Sequence, residues 1–194
     1  MLKRFATKKF DTTKKVSDAD LQYILECARI SCSSSNTQPW KLIVITNPEL
    51  REKLKPVSYT QAQVTDASHL IVVATMKHAS DHAKITTDMI AAKAGPESAA
   101  HYAQMIQGMT PPTPEKELAW LQRQVYLPLQ AMILAAIERG IDSCPMEGFQ
   151  PDEYTKILEL TDCVPTALLT LGYAAAPGFE KIRLSLDQIT DYRK

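Results

Sequence analysis

A chain of 194 residues with 45% hydrophobic and 23% charged side chains has the make-up of a globular domain with a sizeable core, which excludes a disordered or fibrous class. Its 22 basic and 22 acidic residues cancel, so nucleic acid and anionic membranes meet no general attraction and any anion must be held by local cations. No apolar run approaches ~20 residues, and the basic start lacks a hydrophobic segment, so neither a membrane span nor a signal peptide is expected.

Ser17 and Asp20 precede the periodic Leu21, Ile24, Leu25 and Ala28, a capping pattern that predicts a helix over about 18–31. Lys41–Thr46 reads as a buried strand. Asn47 as cap and Pro48 at the first helical position open a helix through about Lys55. Ser68–Thr75 predicts a second core strand. Residues 81–108 read as one or two helices interrupted at Gly95-Pro96, and the Pro-rich 109–114 as a mobile surface loop.

Over about 114–139 the pattern changes. Leu118, Leu121, Val125, Leu129, Met132 and Ile133 share one helical face, while Trp120, Tyr126, Leu127, Leu134 and Ala135 spread over the rest. A helix apolar nearly all round must be buried on most sides, which in so short a chain predicts a second subunit. Gly140 is placed to end it. Ile141–Pro145 then predicts a short strand, Pro151–Leu160 a helix and Pro165–Tyr173 a strand. From Ala174 the chain is an irregular tail. Nothing repeats and no linker divides the sequence, so 1–194 is expected to be a single domain. Cys27, Cys32, Cys144 and Cys163 lack C-x-x-C spacing, which predicts buried or neutral thiols in a reducing, cytoplasmic compartment, with neither disulfides nor a metal site.

The most informative stretch is 31–40, Ser-Cys-Ser-Ser-Ser-Asn-Thr-Gln-Pro-Trp, which crowds hydroxyls and amides at a helix-to-strand junction. By composition it is a Ser/Asn loop closed by Gln-Pro. In its order it resembles the S-S-x-N-x-Q-P-W signature of the nitroreductase family. Four further pieces occur in family order. Lys-Arg-Phe-Ala-Thr-Lys-Lys-Phe-Asp at 3–11 is similar to the opening R-x-S-x-[RK]-x-F. Asp66-Ala67-Ser68-His69 resembles the start of a family core strand, Pro145-Met146-Glu147-Gly148-Phe149 the P-x-E-G-F turn, and Lys181-Ile182-Arg183 a late K-x-R. Residues 78–112 are the least family-like part.

The resemblance implies an α+β sandwich with a central mixed, mostly antiparallel sheet surrounded by helices. It further implies an obligate homodimer with FMN (flavin mononucleotide) at its interface. NADH or NADPH would pass a hydride to flavin N5, and a nitroaromatic, quinone or similar acceptor would then take two electrons in a ping-pong cycle. Arg4, Lys181 and Arg183 would hold the phosphate, and Lys8 would lie by the pyrimidine end of the ring. Ser33, Ser34 and Asn36 would line the cofactor. Thr60 and Gln63 would meet the ring edge, although Thr60 stands where Asn is usual, and Phe5 and Ala6 replace hydrogen-bonding residues. Pro145, Met146, Glu147 and Gly148 would form the turn whose backbone N–H groups face N5 and O4, with no side chain acting as acid or base.

Trp40 reads as a core anchor and Cys32 as packing. No G-x-G-x-x-G or Walker A pattern occurs, which agrees with a nicotinamide that visits a flavin pocket and leaves. Two alternatives stay open: a flavin-binding or redox-sensing protein without turnover, and another reduction on this scaffold, such as dehalogenation or enone reduction. The acceptor pocket is expected from 78–112.

Overall fold

Two apolar runs set the architecture. In the computed structural model, which describes residues 4–193, His69–Met76 (β2) and Cys163–Gly172 (β4) pair as the inner strands of a four-stranded sheet. Trp40–Ile45 (β1) and Asp142–Met146 (β3) are the edges, giving the order β1-β2-β4-β3 with every pair antiparallel. A parallel bridge between Ala6 and Ser143 adds the start of the chain to the β3 edge, so the sheet is mixed and mostly antiparallel, as expected. Every residue of β2 is buried, as a strand covered on both faces requires.

Alternation then sorts the core into two layers. Ile71, Val73, Leu169 and Leu171 face helix Asp18–Arg29 (α1) and helix Pro114–Glu138 (α6). Leu70, Val72 and Leu168 face the other way, onto Leu54 of helix Pro48–Leu54 (α2), Val64 of the short helix Gln63–Asp66 (α3) and Tyr154 of helix Pro151–Ile157 (α7). Arg51 braces this second layer from a buried position. Its guanidinium donates to the carbonyls of Val64 at 2.6 Å, Ala67 at 2.6 Å and Ser68 at 3.2 Å, satisfying groups that the end of α3 leaves open.

The caps read from the sequence are present. Ser17 Oγ accepts from Asp20 N at 3.1 Å, and Asn47 Oδ1 from Leu50 N at 3.0 Å. Gly95, at φ 87°, separates helix Ser80–Ala94 (α4) from helix Pro96–Met109 (α5), and Gly140 follows α6 at φ 68°. A last helical turn, Leu186–Ile189 (α8), lies in the tail. Strand β4 starts at Cys163, two residues before the expected Pro165. Proline is tolerated there because the register shifts: Val73 faces Ala167 while Ala74 faces Pro165, leaving Thr166 as a bulge. Among the described residues, no helix is long and apolar enough to cross a membrane.

Helix α6 is buried on one side only. Trp120, Leu121, Val125, Leu129, Met132 and Ile133 are in the core, but Leu127 and Leu134 remain 41% and 45% exposed. The tail likewise presents Phe179, Ile182, Leu184 and Leu186 to solvent, with Ile182 91% exposed.

Candidate functional site

The two basic ends of the sequence meet. Arg4, Phe5, Ala6 and Lys8 line a cavity of about 320 Å³ together with Lys181, Ile182 and Arg183. The tail is seated by Gly178, where any Cβ would collide with the Phe5 ring. Arg4 Nη1 is buried with no hydrogen-bond partner among the described residues, an expensive state for a guanidinium donor. Arg183 is exposed and its Nη1 donates to the neighbouring Ile182 carbonyl at 2.7 Å. Lys8 turns towards β3, with Nζ 3.7 Å from Cys144 Sγ.

That strand ends in the Pro145–Gly148 turn. Behind the turn, Phe149 is buried with its ring edge-on to Tyr154 at 4.9 Å, and Gln150 N donates to Val57 O at 2.8 Å. On one flank Gln61 Nε2 donates to Gly148 O at 2.7 Å and to Ser58 O at 3.1 Å. On the other, Tyr126 Oη of α6 donates to Glu147 Oε1 at 2.7 Å. Burial, with the Glu147 contact, pushes the Tyr126 phenol up to about 12. Pro145, Met146, Glu147, Tyr126, Leu129, Gln130, Ile133 and Ala167 together enclose a cavity of about 480 Å³.

Sequence reasoning passed over both Gln61 and Tyr126. Its Thr60-x-x-Gln63 spacing pointed to Gln63, but that residue is buried in α3, and the amide that reaches the Gly148 turn belongs to Gln61. The reason is local backbone geometry. Tyr59 and Thr60 are both left-handed, at φ 52° and 57°, a conformation that costs a β-branched residue and re-aims the side chains after it. Thr60 itself is exposed beside this turn.

Ser33, Ser34 and Asn36 lie elsewhere. Their loop is strained, with Ser35, Asn36 and Gln38 at φ 49°, 54° and 44°. It is also heavily braced. Ser33 Oγ accepts from Gln38 N at 2.9 Å, and Ser34 N donates to Gln124 Oε1 of α6 at 2.9 Å. Tyr102 of α5 reaches Asn36 O at 3.4 Å, and His82 of α4 lies 2.7 Å from Gln38 O. Trp40 is a core residue between this loop and β1, as expected. Cys32, expected to pack, is exposed instead.

The loop leads into β1, whereas Arg4–Lys8 and the 145–148 turn belong to the β3 edge. Three strand spacings, roughly 14 Å, separate those edges. Within one copy the basic residues and the turn lie along the β3 edge, and the Ser33–Asn36 loop leads into the opposite edge strand.

Residues 1–173 match the family model described as the Nitroreductase family. A Haemophilus influenzae protein named as a candidate NAD(P)H nitroreductase is 34% identical over 203 residues, covering 97% of this chain and 92% of the relative. A structure described as a candidate nitroreductase from Exiguobacterium sibiricum, solved in complex with FMN, superposes with a TM-score of 0.87 at 28% identity and covers 98% of this chain and 93% of that one. An enone reductase of gut-bacterial fatty acid saturation, CLA-ER, shares the fold at a TM-score of 0.83 and 21% identity, over 99% of this chain and 95% of its own.

Proposed function

The chain belongs to the nitroreductase family, and from that premise we propose that it is an FMN-dependent oxidoreductase. It takes electrons from NADH or NADPH and delivers two to a nitroaromatic, quinone or similar small acceptor. It does so as a cytoplasmic homodimer of single-domain chains.

The observation that carries this reading is the cavity that Arg4 lines with Lys8, Lys181 and Arg183, three further cations against the single carboxylate of Glu180; Arg4 Nη1 is buried with no hydrogen-bond partner among the described residues. A dianionic phosphate is the partner such a cluster fits, since guanidinium groups fork onto its oxygens and lysines add point charge. FMN, when bound, supplies the redox chemistry. The chain's own residues bind and orient it. Arg4, Lys181 and Arg183 hold the phosphate, while Lys8, lying against β3, takes the pyrimidine end beside Phe5 and Ala6. Within the Pro145–Gly148 turn, where Pro145 has no N–H to give and Met146 belongs to β3, Glu147 and Gly148 would present backbone N–H groups to the part of the flavin that gathers negative charge, an electrostatic contribution. Thr60 and Gln63 would serve the ring edge, while Gln61 braces the Gly148 turn with both of its amide hydrogens.

Ser33, Ser34 and Asn36 are delivered by the second chain, because the sheet keeps them from the other residues of their own copy. The exposed Leu127 and Leu134 of α6 and the apolar tail are the surfaces such a partner covers. Leu127 and Leu134 are 41% and 45% exposed, so covering what remains of each is worth about 1 kcal/mol. Donor and acceptor share one flavin face and must alternate.

The test is an absorption spectrum of the purified protein followed by anaerobic steady-state kinetics with NAD(P)H and menadione. Flavin released by denaturation, FMN bound far more tightly than riboflavin, and parallel double-reciprocal lines are expected. Intersecting lines with a ternary complex would overturn the alternating cycle. Flavin without NAD(P)H oxidation would leave a binding protein in its place.

A further inference from the structure

The Pro145–Gly148 turn is fixed unequally along its length. Gly148 is tied by Gln61, and Phe149 and Gln150 are anchored in the core and at Val57. Among the described residues, the side chain of Glu147 has one hydrogen-bond partner, the Tyr126 hydroxyl at 2.7 Å. This is a charge-assisted O–H···O⁻ contact, intrinsically the stronger class of hydrogen bond, here on an exposed face where solvent screens it. It joins two elements that otherwise face each other across the same 480 Å³ cavity, with Leu129, Gln130 and Ile133 of α6 on the far wall.

We propose that Tyr126 is a positioning residue: its hydroxyl, by holding the Glu147 carboxylate, clamps the Pro145–Gly148 turn to α6 and sets the direction of the turn's N–H groups. The inference rests on the FMN reading above and deepens it, since it assigns the orientation of those donors to a residue of α6, outside the turn that carries them. A second consequence concerns charge. A clamped carboxylate is held at the α6 wall, whereas a released one swings into the cavity, where negative charge opposes electron uptake by a nearby flavin. The phenol remains a donor throughout the working range, because its titration is displaced to about 12.

The side chains permit a test with an internal control. Tyr126→Phe and Glu147→Ala each break the clamp. Glu147→Gln keeps a carbonyl oxygen able to accept from Tyr126 and so acts as the conservative rescue. The first readout needs no flavin. Hydrogen–deuterium exchange over peptide 145–150 of the apoprotein should speed up at least about threefold in Tyr126→Phe and Glu147→Ala, and less in Glu147→Gln, because local opening becomes easier.

The second readout is the rate of flavin reduction by NAD(P)H in the FMN-loaded protein, measured anaerobically by stopped flow. Tyr126→Phe and Glu147→Ala should each be slower by about tenfold, the worth of one charge-assisted hydrogen bond. The double variant should be no slower than either single one, and Glu147→Gln should be faster than Glu147→Ala. Unchanged exchange in Tyr126→Phe overturns the clamp, whatever the kinetics. Faster exchange with an unchanged reduction rate, or losses that multiply in the double variant, overturns the positioning role. A wild-type protein that takes up no FMN defeats the functional reading instead, and the exchange experiment then judges the clamp alone.

Discussion

Replacing Arg4 with alanine should separate FMN from riboflavin. The Arg4 side chain is partly buried, and its Nη1 has no hydrogen-bond partner among the described residues. A buried donor in that state carries a penalty of about 1–3 kcal/mol, and a phosphate that satisfies it gains a charge-assisted bond of about 1.5–3 kcal/mol. One substitution therefore has two opposite effects. Arg4→Ala should raise the dissociation constant for FMN by roughly 10- to 150-fold, the factor those energies correspond to. It should leave the apoprotein as stable as wild type, or slightly more so, because the unsatisfied donor has gone. Riboflavin, which lacks the phosphate, should bind wild type and variant within about twofold, since the lost interaction was never available to it. Quenching of flavin fluorescence gives both constants, and a thermal melt of the apoprotein gives the stability. Equal weakening of FMN and riboflavin would place Arg4 away from the phosphate. Unchanged FMN affinity would remove it from the site.

Other expectations concern the partner chain, the turn and pH. Leu134→Asp, at an exposed position on α6, should yield a folded monomer by light scattering that has lost its flavin; a flavin-loaded monomer would refute the shared site. Aspartate at Leu129 or Met132 would not serve, because both are core residues and the variant would unfold. Gly148→Val should reduce flavin reduction far more than Glu147→Gln does, since a Cβ at 148 already stands 2.9 Å from Gln61 Nε2 and would break the bond holding the turn; the reverse ranking, read by stopped flow, would give the carboxylate a direct role. His69 is held below its ordinary 6.5 by burial and then by the nearby Arg51 charge. The unfolded chain therefore binds the proton more readily, so stability should decline as pH drops below about 6.5 towards the folded value, and His69→Gln should flatten that slope in denaturant titrations.

Most of the framework was legible because it depends on burial period and caps. The unbroken apolar run of β2, the Ser17 and Asn47 caps and the Gly95 break each carry their structural cause in one or two residues. Where the sequence misled, the cause was non-local. Four-residue α3 is shorter than any periodicity could reveal, and it forms where Arg51, from α2, satisfies its open carbonyls. The left-handed pair at Tyr59–Thr60 involves neither Gly nor Asn, the residues that announce such geometry, so the contact of Gln61 with the Gly148 turn has no sequence signal. The start of β4 before Pro165 needed the bulge at Thr166, a feature of pairing rather than of the strand itself.

The same distinction explains why the expected site residues form two groups here. Some groups are brought together within one copy: Arg4 and Arg183 line one cavity, and Lys8 lies against Cys144 of β3. The Ser33–Asn36 loop is different. Three left-handed residues in four positions lie in a loop held by hydrogen bonds to α4, α5 and α6. Strain persists where the surroundings over-determine it, and it is concentrated at ligand clamps. A loop stiffened in advance suits a group presented to another chain, because it loses little conformational freedom on assembly. The exposed leucines of α6 lie on the helix whose Gln124 braces that loop and whose Tyr126 holds the 147–148 turn. Covering that helix face with a second copy would therefore act on both halves of the site through a single element. This predicts that dimer loss and flavin loss in Leu134→Asp have the same concentration midpoint. Two separate midpoints would mean that α6 does not link the halves.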